Sequence, residues 1–342
     1  MVREMIVATP DSPLELVKVY VASGIFPGAS FAIINGQDIE KHIFGYERLK
    51  PEPVLLQADM TYDLASVSKV VGTGTLMIDL ILSGKVGLDE LLTDYYPDFK
   101  GPGSTTLTIR QLLTHTSGID PFIENRHNLA YDELRAALNQ VTVTSDKTFH
   151  YTDVNFILLG FMLEAIYGQD LADILQDRVF KPFNMHHTSF VAPDKTVATA
   201  WDLPKGLVHD PKAQVLGRHT GSAGLFSYLD DLIAFSQAYF ANPAYLTLMQ
   251  DYAKANRARS LAWDLVGLET SAETSAETSK NQVGQWLLHT GYTGTFILLN
   301  LKTQQAVIFL SNRVHLRDER KQWIADRNVL IQAFLKMMEN VV

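Results

Sequence analysis

The sequence predicts an α+β fold, in which one sheet is built from both ends of the chain and an all-helical domain is inserted between them. Strand-like segments occur near the N-terminus and again after residue 260, whereas helix-like segments and loops fill the stretch between. The chain has 342 residues, of which 46 % are apolar, and this length exceeds what one hydrophobic core usually serves. We therefore assign residues 1–62 and 257–342 to a discontinuous sheet domain and residues 63–256 to a helical domain.

The predicted strands lie at the two ends of the chain. Residues 29–34 and 41–44 are predicted to pair as a hairpin, because the intervening segment 35–38 begins with the Asn-Gly turn signal. After residue 260 the pattern becomes strand-like again. Strands are predicted at 261–268, 294–300 and 306–311, with a turn at 301–305 and a closing helix at 324–338.

Long apolar runs predict the helices of the middle segment. Residues 70–82 form a mostly apolar run that predicts a buried helix, and Gly84 is a typical C-terminal stop signal for it. Residues 154–167 predict a second apolar helix that ends at Gly168 in the same way. A shorter helix is predicted at 171–179.

Composition excludes several classes of function. The net charge is −9, which argues against nucleic-acid binding, since that function needs a basic face. The chain has no cysteine, so it has no disulfide, thiolate nucleophile or thiolate metal site. It also has no phosphate loop, dinucleotide fingerprint or Gly-x-Ser-x-Gly elbow, and the adjacent pair His186-His187 fits no common metal motif. We therefore expect neither a metal nor a cofactor.

The N-terminal segment is the basis for predicting the cellular compartment. It lacks the basic start and long apolar core of a signal peptide. No run is expected to approach the roughly 18 apolar residues of a membrane span. The sequence as written therefore predicts a cytoplasmic protein without a membrane span.

Ser66 and Lys69 are the first candidates for chemistry, because residues three apart on a helix are neighbours on one face. A serine hydroxyl is a weak nucleophile and needs an adjacent base to take its proton. Ser66 would also lie at the N-terminal end of the 70–82 helix, where unpaired N–H groups and the helix dipole stabilise negative charge. The spacing alone is weak evidence, so the surrounding motifs decide.

Six stretches of the chain carry the decisive pattern. They are Ser66-Val67-Ser68-Lys69, residues 107–118, Tyr151-Thr152-Asp153, residues 223–227, His289-Thr290-Gly291 and residues 312–315. Their order along the chain is more specific than any one of them. With these stretches the sequence resembles the serine β-lactamase and penicillin-binding family, in the branch of the class C β-lactamases, DD-carboxypeptidases and related esterases.

The resemblance implies a β-lactamase/transpeptidase-like fold: an antiparallel sheet flanked by terminal helices, an inserted helical domain and an active site in the cleft between them. It implies that Ser66 is a nucleophile that forms an acyl-enzyme, with Lys69 as its partner. Tyr151 would be a second proton-transfer group, which requires nearby cations to stabilise its phenolate. The N–H groups of Ser66 and Tyr292 would form the oxyanion hole.

Two positions depart from the family pattern. Asp153 stands where the family has Asn, and it is interpreted either as the N-cap of the following helix or as a cleft carboxylate that keeps Lys69 protonated and repels anionic substrates. His289 stands where many members have Lys, so it carries less charge for a substrate carboxylate. We expect His289, Thr290 and Gly291 to bind substrate, with Gly291 allowing a ligand to approach closely; the alternative for His289 is a structural residue at a strand end.

Other residues near the predicted cleft remain open at this stage. His115 is interpreted as structural, whereas His209 and His219 could approach the cleft. Residues 269–280 form a short repeat without apolar anchors, which is typical of a solvated connection between strands. The alternative is a rim loop that gates the cleft, because the segment shortly precedes His289.

The sequence therefore predicts a serine hydrolase for a small-molecule amide, ester or lactam. A D-alanyl peptide and a small carboxylic ester are the first candidates for its substrate, and a β-lactam is the third. We expect neutral acyl esters or weakly anionic amides to be preferred over β-lactams with a free carboxylate, because the substitutions at 153 and 289 each make the site less positive. The alternative is a penicillin-binding-like protein that acylates or binds without efficient turnover.

Overall fold

Seven antiparallel strands from both ends of the chain form the main sheet of the computed structural model, which describes residues 12–124, 128–268 and 285–340. A second, two-stranded sheet pairs β4 with β5. The strands are β1 Gly28–Asn35, β2 Asp38–Arg48, β3 Val54–Leu55, β4 Tyr62–Asp63, β5 Phe226–Ser227, β6 Asp264–Val266, β7 Trp286–Thr290, β8 Phe296–Asn300 and β9 Gln305–Ser311.

The order of the strands shows how the two ends of the chain meet. The main sheet runs β3-β2-β1-β9-β8-β7-β6, so the N-terminal strand β1 pairs directly with the C-terminal strand β9. The predicted hairpin is confirmed: β1 and β2 pair from Gly28 opposite Gly45 to Asn35 opposite Asp38. One sheet therefore requires both termini, as the sequence predicts.

Helices flank the sheet and fill the segment between its two halves. Residues 65–82 are continuously helical, with a 3₁₀ turn at Ala65–Val67, π-helical turns at Lys69–Gly74 and α2 after them. The α-helices are α1 Pro13–Ala22, α2 Thr75–Leu82, α3 Leu92–Tyr95, α4 Ile109–Thr114, α5 Tyr131–Leu138, α6 Val154–Tyr167, α7 Leu171–Leu175, α8 Pro211–Leu216, α9 Leu229–Ala241 and α10 Arg320–Glu339.

Alternating side chains of β1 divide the core between the two faces of the sheet. Phe31 packs on one face in a cluster with Phe309 of β9 and Phe334 of α10. Ala32 and Ile34 point to the other face, into the larger core shared with the inserted helices. Burying one such aromatic or aliphatic side chain stabilises the folded state by about 1.5–3 kcal/mol relative to leaving it exposed. The sheet is therefore covered on both faces, and β1 is buried along nearly its whole length.

The prediction that no apolar run approaches the length of a membrane span is wrong. Among the residues that the structure describes, the helical stretch Ala65–Leu82 is long and apolar enough to cross a membrane. Helix α6 and the helical segment Leu171–Phe180 together are also long and apolar enough, but the chain bends by 80° between them. The first stretch is 78 % buried inside the protein, so its apolar side chains already pack as those of a core helix.

Several predicted elements need correction. The strand predicted at 261–268 is shorter in the structure, where it spans only Asp264–Val266. A turn precedes it, because Ala262 has φ +68° and the Ser260 N–H donates to the Trp263 carbonyl. Strand β7 and helix α1 were not among the elements predicted from sequence patterns. The closing helix begins earlier than predicted, at Arg320. The segment 269–280 lies outside the described residues, and the predicted domain boundaries stay a prediction.

Candidate active site

Ser66 begins the buried helical stretch in an unusual backbone setting. The preceding residue, Ala65, has φ +46°, a left-handed conformation that costs an alanine about 1 kcal/mol. The Ala65 N–H donates to Asp63 Oδ1 at 2.9 Å, and the Leu64 N–H donates to the Leu225 carbonyl at 2.9 Å. The chain before Ser66 is therefore tied to neighbouring elements, and Ser66 itself stays half-exposed at the wall of a cavity.

Lys69 is fully buried and makes three hydrogen bonds. Its Nζ donates to Ser66 Oγ at 2.9 Å, to Asp153 Oδ1 at 2.8 Å and to the Ser222 carbonyl at 2.8 Å. Three acceptors match the three donors of an ammonium group. Burial by itself lowers the pKa of Lys69, but the Asp153 carboxylate and Tyr151 outweigh burial and raise this pKa above its usual value. Lys69 is therefore a cation in this arrangement, as expected from a carboxylate at position 153.

Asp153 links two lysines rather than capping a helix. It occupies the N-cap position of α6, but its side chain makes no capping hydrogen bond, so the N-cap interpretation is wrong. Its Oδ1 accepts from Lys69, and its Oδ2 lies 3.1 Å from Lys212 Nζ. Burial raises the pKa of Asp153, but the two ammonium groups outweigh burial and hold this pKa well below its usual range.

Lys212 is the main residue that the sequence analysis missed. It lies on α8, and its Nζ also donates a hydrogen bond to Asp210 Oδ2 at 3.3 Å. No motif marks it, and it is separated from Asp153 by 59 positions in the chain. Its charge offsets that of Asp153, so the expectation that Asp153 makes the site less positive needs correction.

Tyr151 lies between Lys69 and a buried histidine. The Lys69 Nζ is 5.2 Å from the centroid of the Tyr151 ring. On its other side the ring stacks on His115, with centroids 4.3 Å apart. His115 Nδ1 lies 2.9 Å from the Asn155 amide nitrogen, and burial lowers the pKa of His115 well below its usual value. The histidine is therefore neutral and accepts a hydrogen bond at Nδ1, and it supports the ring of Tyr151.

The turn between β7 and β8 is held against the chain that precedes Ser66. Thr295 Oγ1 donates to the Leu64 carbonyl at 3.0 Å, and Thr293 Oγ1 donates to the Asp63 carbonyl at 2.8 Å. Arg313 Nε donates to the Tyr292 carbonyl at 2.8 Å, which orients the peptide at that residue. Tyr292 and Ser66 line the same cavity. Their predicted role as an oxyanion hole stays a prediction.

Gly291 is needed for this turn to approach Leu64. A Cβ at position 291 would lie 2.1 Å from Thr295 Oγ1 and 2.6 Å from the Leu64 carbonyl oxygen. The close approach is therefore to the Thr295 side chain and the Leu64 backbone of the protein itself, whereas the sequence analysis expected an approach to a ligand.

Replacing Gly291 with alanine is expected to displace the turn and the Tyr292 N–H from Ser66. Overpacking of this kind costs about 1–3 kcal/mol of stability, and the loss of one oxyanion donor costs on the order of 100-fold in rate. Thermal unfolding and the rate of covalent labelling by a fluorophosphonate measure the two effects. Gly84→Ala is the control for a loss of stability far from the turn: no atom lies near the added Cβ, but the φ of +71° strains an alanine by about 1 kcal/mol, so this variant should lose stability and still be labelled at the wild-type rate. Labelling at the wild-type rate in Gly291→Ala would contradict this account of the turn.

His289 is buried behind Tyr151, and Thr290 is bonded to the C-terminal helix α10. The His289 ring is 2 % exposed, neither of its ring nitrogens has a hydrogen-bond partner among the described residues, and its centroid lies 6.5 Å from that of Tyr151. Burial and the nearby Lys69 cation lower the pKa of His289 well below its usual value. Thr290 Oγ1 accepts from Arg327 at 3.1 Å. Neither these two residues nor Gly291 belongs to the wall of the cavity beside Ser66, and their role in substrate binding stays a prediction.

A cavity of about 480 Å³ opens beside Ser66, and both the helical segment and the sheet segment contribute to its wall. His209 lies in this wall and stacks on Tyr292, with centroids 5.2 Å apart. His219 is not part of the wall, and its Nδ1 lies 2.6 Å from Glu164. The wall combines an apolar group (Pro121, Ile123, Leu134 and Val154) with a polar group (Tyr151, Asp153, His209, Lys212, Tyr292 and Arg320).

Solved structures with the same architecture define the fold class. The structure of a class C β-lactamase aligns with a TM-score of 0.75 and covers 95 % of this chain and 95 % of that chain at 19 % sequence identity. EstCE1, a hydrolase with promiscuous acyltransferase activity, aligns with a TM-score of 0.73 at 17 % identity and covers 94 % of this chain and 97 % of that chain. The fold is therefore β-lactamase/transpeptidase-like, as the sequence predicts.

Sequence comparison assigns the family. The model of the Beta-lactamase family matches residues 15–331, and the chain belongs to this family. A relative in Salmonella agona, named "Putative D-alanyl-D-alanine carboxypeptidase", is 26 % identical over 346 aligned positions, which cover 85 % of this chain and 79 % of the relative. The predicted family is confirmed.

Proposed function

We propose that the protein is a serine hydrolase that forms an acyl-enzyme on Ser66 and hydrolyses an amide or ester. The contact that carries this proposal is the 2.9 Å hydrogen bond from the buried Lys69 ammonium to Ser66 Oγ, at the wall of a cavity large enough for a small substrate. A nucleophile beside an oriented cation and a second proton-transfer group is the arrangement that covalent catalysis requires.

Proton transfer in this proposal involves Tyr151 as well as Lys69. Lys69 already directs its three N–H donors to three acceptors, so it has no free lone pair to take the serine proton. Its charge instead stabilises negative charge on Ser66 Oγ and on a Tyr151 phenolate. Tyr151 as phenolate is then the proton acceptor in acylation, and Lys69 and Tyr151 act as one proton-transfer unit.

The substrate in this proposal is a D-alanyl peptide or a small carboxylic ester, with a β-lactam as a weak third substrate. The name of the Salmonella agona relative supports the first and the EstCE1 title supports the second. His289 is buried and held neutral, so it offers no charge to a substrate carboxylate. This favours substrates whose acyl part is neutral.

The Lys69–Asp153 ion pair also supports a second candidate, a penicillin-binding-like protein that acylates without efficient turnover. A carboxylate that holds Lys69 protonated removes a base that could otherwise help water to attack the acyl-enzyme. The two candidates share the acylation step and differ only in deacylation.

Pre-steady-state kinetics separate the two candidates. With a p-nitrophenyl ester in excess, the hydrolase is expected to release one equivalent of p-nitrophenol per chain in a burst, followed by a steady rate. A burst without a steady phase, together with a persistent fluorescent-penicillin adduct, would support the penicillin-binding candidate. No release of p-nitrophenol above the rate without protein, together with no adduct, would contradict both.

A further inference from the structure

The side chain at position 153 differs from the family's asparagine in one chemical respect. An asparagine amide has both an acceptor oxygen and N–H donors, whereas an ionised aspartate only accepts. Both Asp153 oxygens are engaged by cations, Oδ1 by Lys69 and Oδ2 by Lys212. Position 153 therefore keeps the acceptor that holds Lys69 and loses the donor that an asparagine would present to the cavity.

Lys212 is positioned to supply a donor at the same place. Its side chain is 20 % exposed and lies in the cavity wall next to Asp153. An ammonium group has three N–H donors, and the two carboxylate oxygens near Lys212 Nζ belong to Asp153 and Asp210. No other acceptor contacts Lys212 within the described parts of the chain, so at least one N–H remains for a ligand.

Asp210 fixes the position of this ammonium group. One Asp210 oxygen accepts from the Ala213 N–H at 2.8 Å and so caps α8, while the other lies 3.3 Å from Lys212 Nζ. The Lys212 ammonium group is thus held between Asp210, which caps α8, and Asp153, which also binds Lys69, and it does not extend freely into solvent. A donor held in place loses less conformational entropy when it binds a substrate.

We propose that Lys212 is a specificity-determining residue, which donates a hydrogen bond to an uncharged carbonyl in the acyl part of the substrate. This inference rests on the proposed acyl-enzyme function. Together Asp153 and Lys212 present one acceptor to Lys69 and one donor to the cavity, which are the two functions that a single asparagine amide combines.

The charges nearby favour a neutral acceptor over a carboxylate. Lys69 and Lys212 contribute two positive charges and Asp153 and Asp210 contribute two negative ones, so this group of four has no net charge. An anion would therefore gain little beyond one hydrogen bond and would lose its hydration.

The two sides of the cavity indicate which part of the substrate Lys212 meets. Helix α8, which carries Lys212, packs against α5, which carries the wall residue Leu134, whereas the exposed Arg320 lies over the Tyr292 ring on the sheet side. In this proposal the leaving group departs past Arg320, and the acyl part lies against the wall that carries Lys212.

The test compares two p-nitrophenyl esters of equal chain length, the N-acetylglycine ester and the pentanoate, of which only the first carries an acyl amide. The measured quantity is the ratio of their kcat/KM values. Lys212→Met is expected to lower this ratio about tenfold or more, because a hydrogen bond from a charged donor is lost. The double variant Asp153→Asn with Lys212→Met is expected to recover the ratio to within about threefold of wild type, because the asparagine restores a neutral donor.

Lys195→Met is the matched control, since Lys195 is an exposed lysine that pairs with Asp59. Its ratio should equal that of the wild type. The proposal is overturned if Lys212→Met changes both substrates equally, or if the double variant keeps the low ratio. Thermal unfolding shows whether Lys212→Met folds. If it does not, the double variant is the test, because its residue 153 is an uncharged asparagine that needs no second cation. A low ratio in the double variant would contradict the proposal.

Failure of this inference differs from failure of the proposed function. If Ser66 is labelled by a fluorophosphonate and esters turn over while the ratio does not respond to Lys212, only the role of Lys212 is wrong. If Ser66 is not labelled, the acyl-enzyme proposal itself is wrong, whatever the ratio shows.

Discussion

Replacing Ser66 with alanine is expected to lower kcat/KM for a p-nitrophenyl ester by about 10⁴-fold or more, as the loss of the covalent nucleophile does in a serine protease. The change removes one half-exposed oxygen and the acceptor of one of the three Lys69 hydrogen bonds. Lys69 keeps Asp153 and the Ser222 carbonyl as acceptors, so the fold should persist. Steady-state kinetics and thermal unfolding measure the two effects.

Ser83→Ala is the matched control, because Ser83 is an exposed serine that follows the same helical stretch. It should retain wild-type kcat/KM. Retention of wild-type turnover in Ser66→Ala would remove Ser66 from the mechanism, and an equal loss in Ser83→Ala would indicate a general effect on the helix.

The second large effect is expected at Lys69 and Tyr151, which should behave as one proton-transfer unit. Lys69→Met and Tyr151→Phe are each expected to lower the acylation rate by about 10²–10⁴-fold, the usual contribution of a proton-transfer group. The double variant should lose much less than the product of the two factors, because neither residue functions without the other. Burst-phase kinetics on the two single variants and the double variant measure this coupling.

Tyr95→Phe is the control for loss of a tyrosine hydroxyl, since Tyr95 bonds only to the exposed Glu90 among described residues. It should leave the acylation rate unchanged. Fully multiplicative losses at Lys69 and Tyr151 would show that the two residues act independently. Lys69→Met also removes a buried cation from Asp153, so its thermal unfolding should be compared with that of Tyr151→Phe.

Features carried by one local segment could be predicted from the sequence. Ser66 and Lys69 belong to the same helical stretch, so their spacing alone places both side chains on one face, and the structure brings their polar atoms to 2.9 Å. The α6 helix ends at Gly168 as predicted, because that residue adopts φ +65°. Local periodicity and end signals therefore sufficed for these elements.

Features that depend on distant segments could not be predicted in this way. Lys212 meets Asp153 only because α8 packs beside the cavity, and α8 is a six-residue helix without a motif. His289 lies in one of the stretches that match the family, yet the packing of β7 behind Tyr151 buries it. Burial and pairing of this kind follow from tertiary contacts, which one sequence does not specify residue by residue.

Peptide mapping of the phosphonylated protein tests the central claim most directly. After reaction with a fluorophosphonate and digestion with trypsin, Ser66 falls in the peptide that ends at Lys69, which also contains Ser68. Ser68 is buried, and its Oγ accepts from the Leu225 N–H, so fragmentation must distinguish the two serines. The account predicts one phosphonyl group per chain, located on Ser66. An adduct on Ser68 or on any other residue, or an unlabelled protein that still hydrolyses esters, would contradict it.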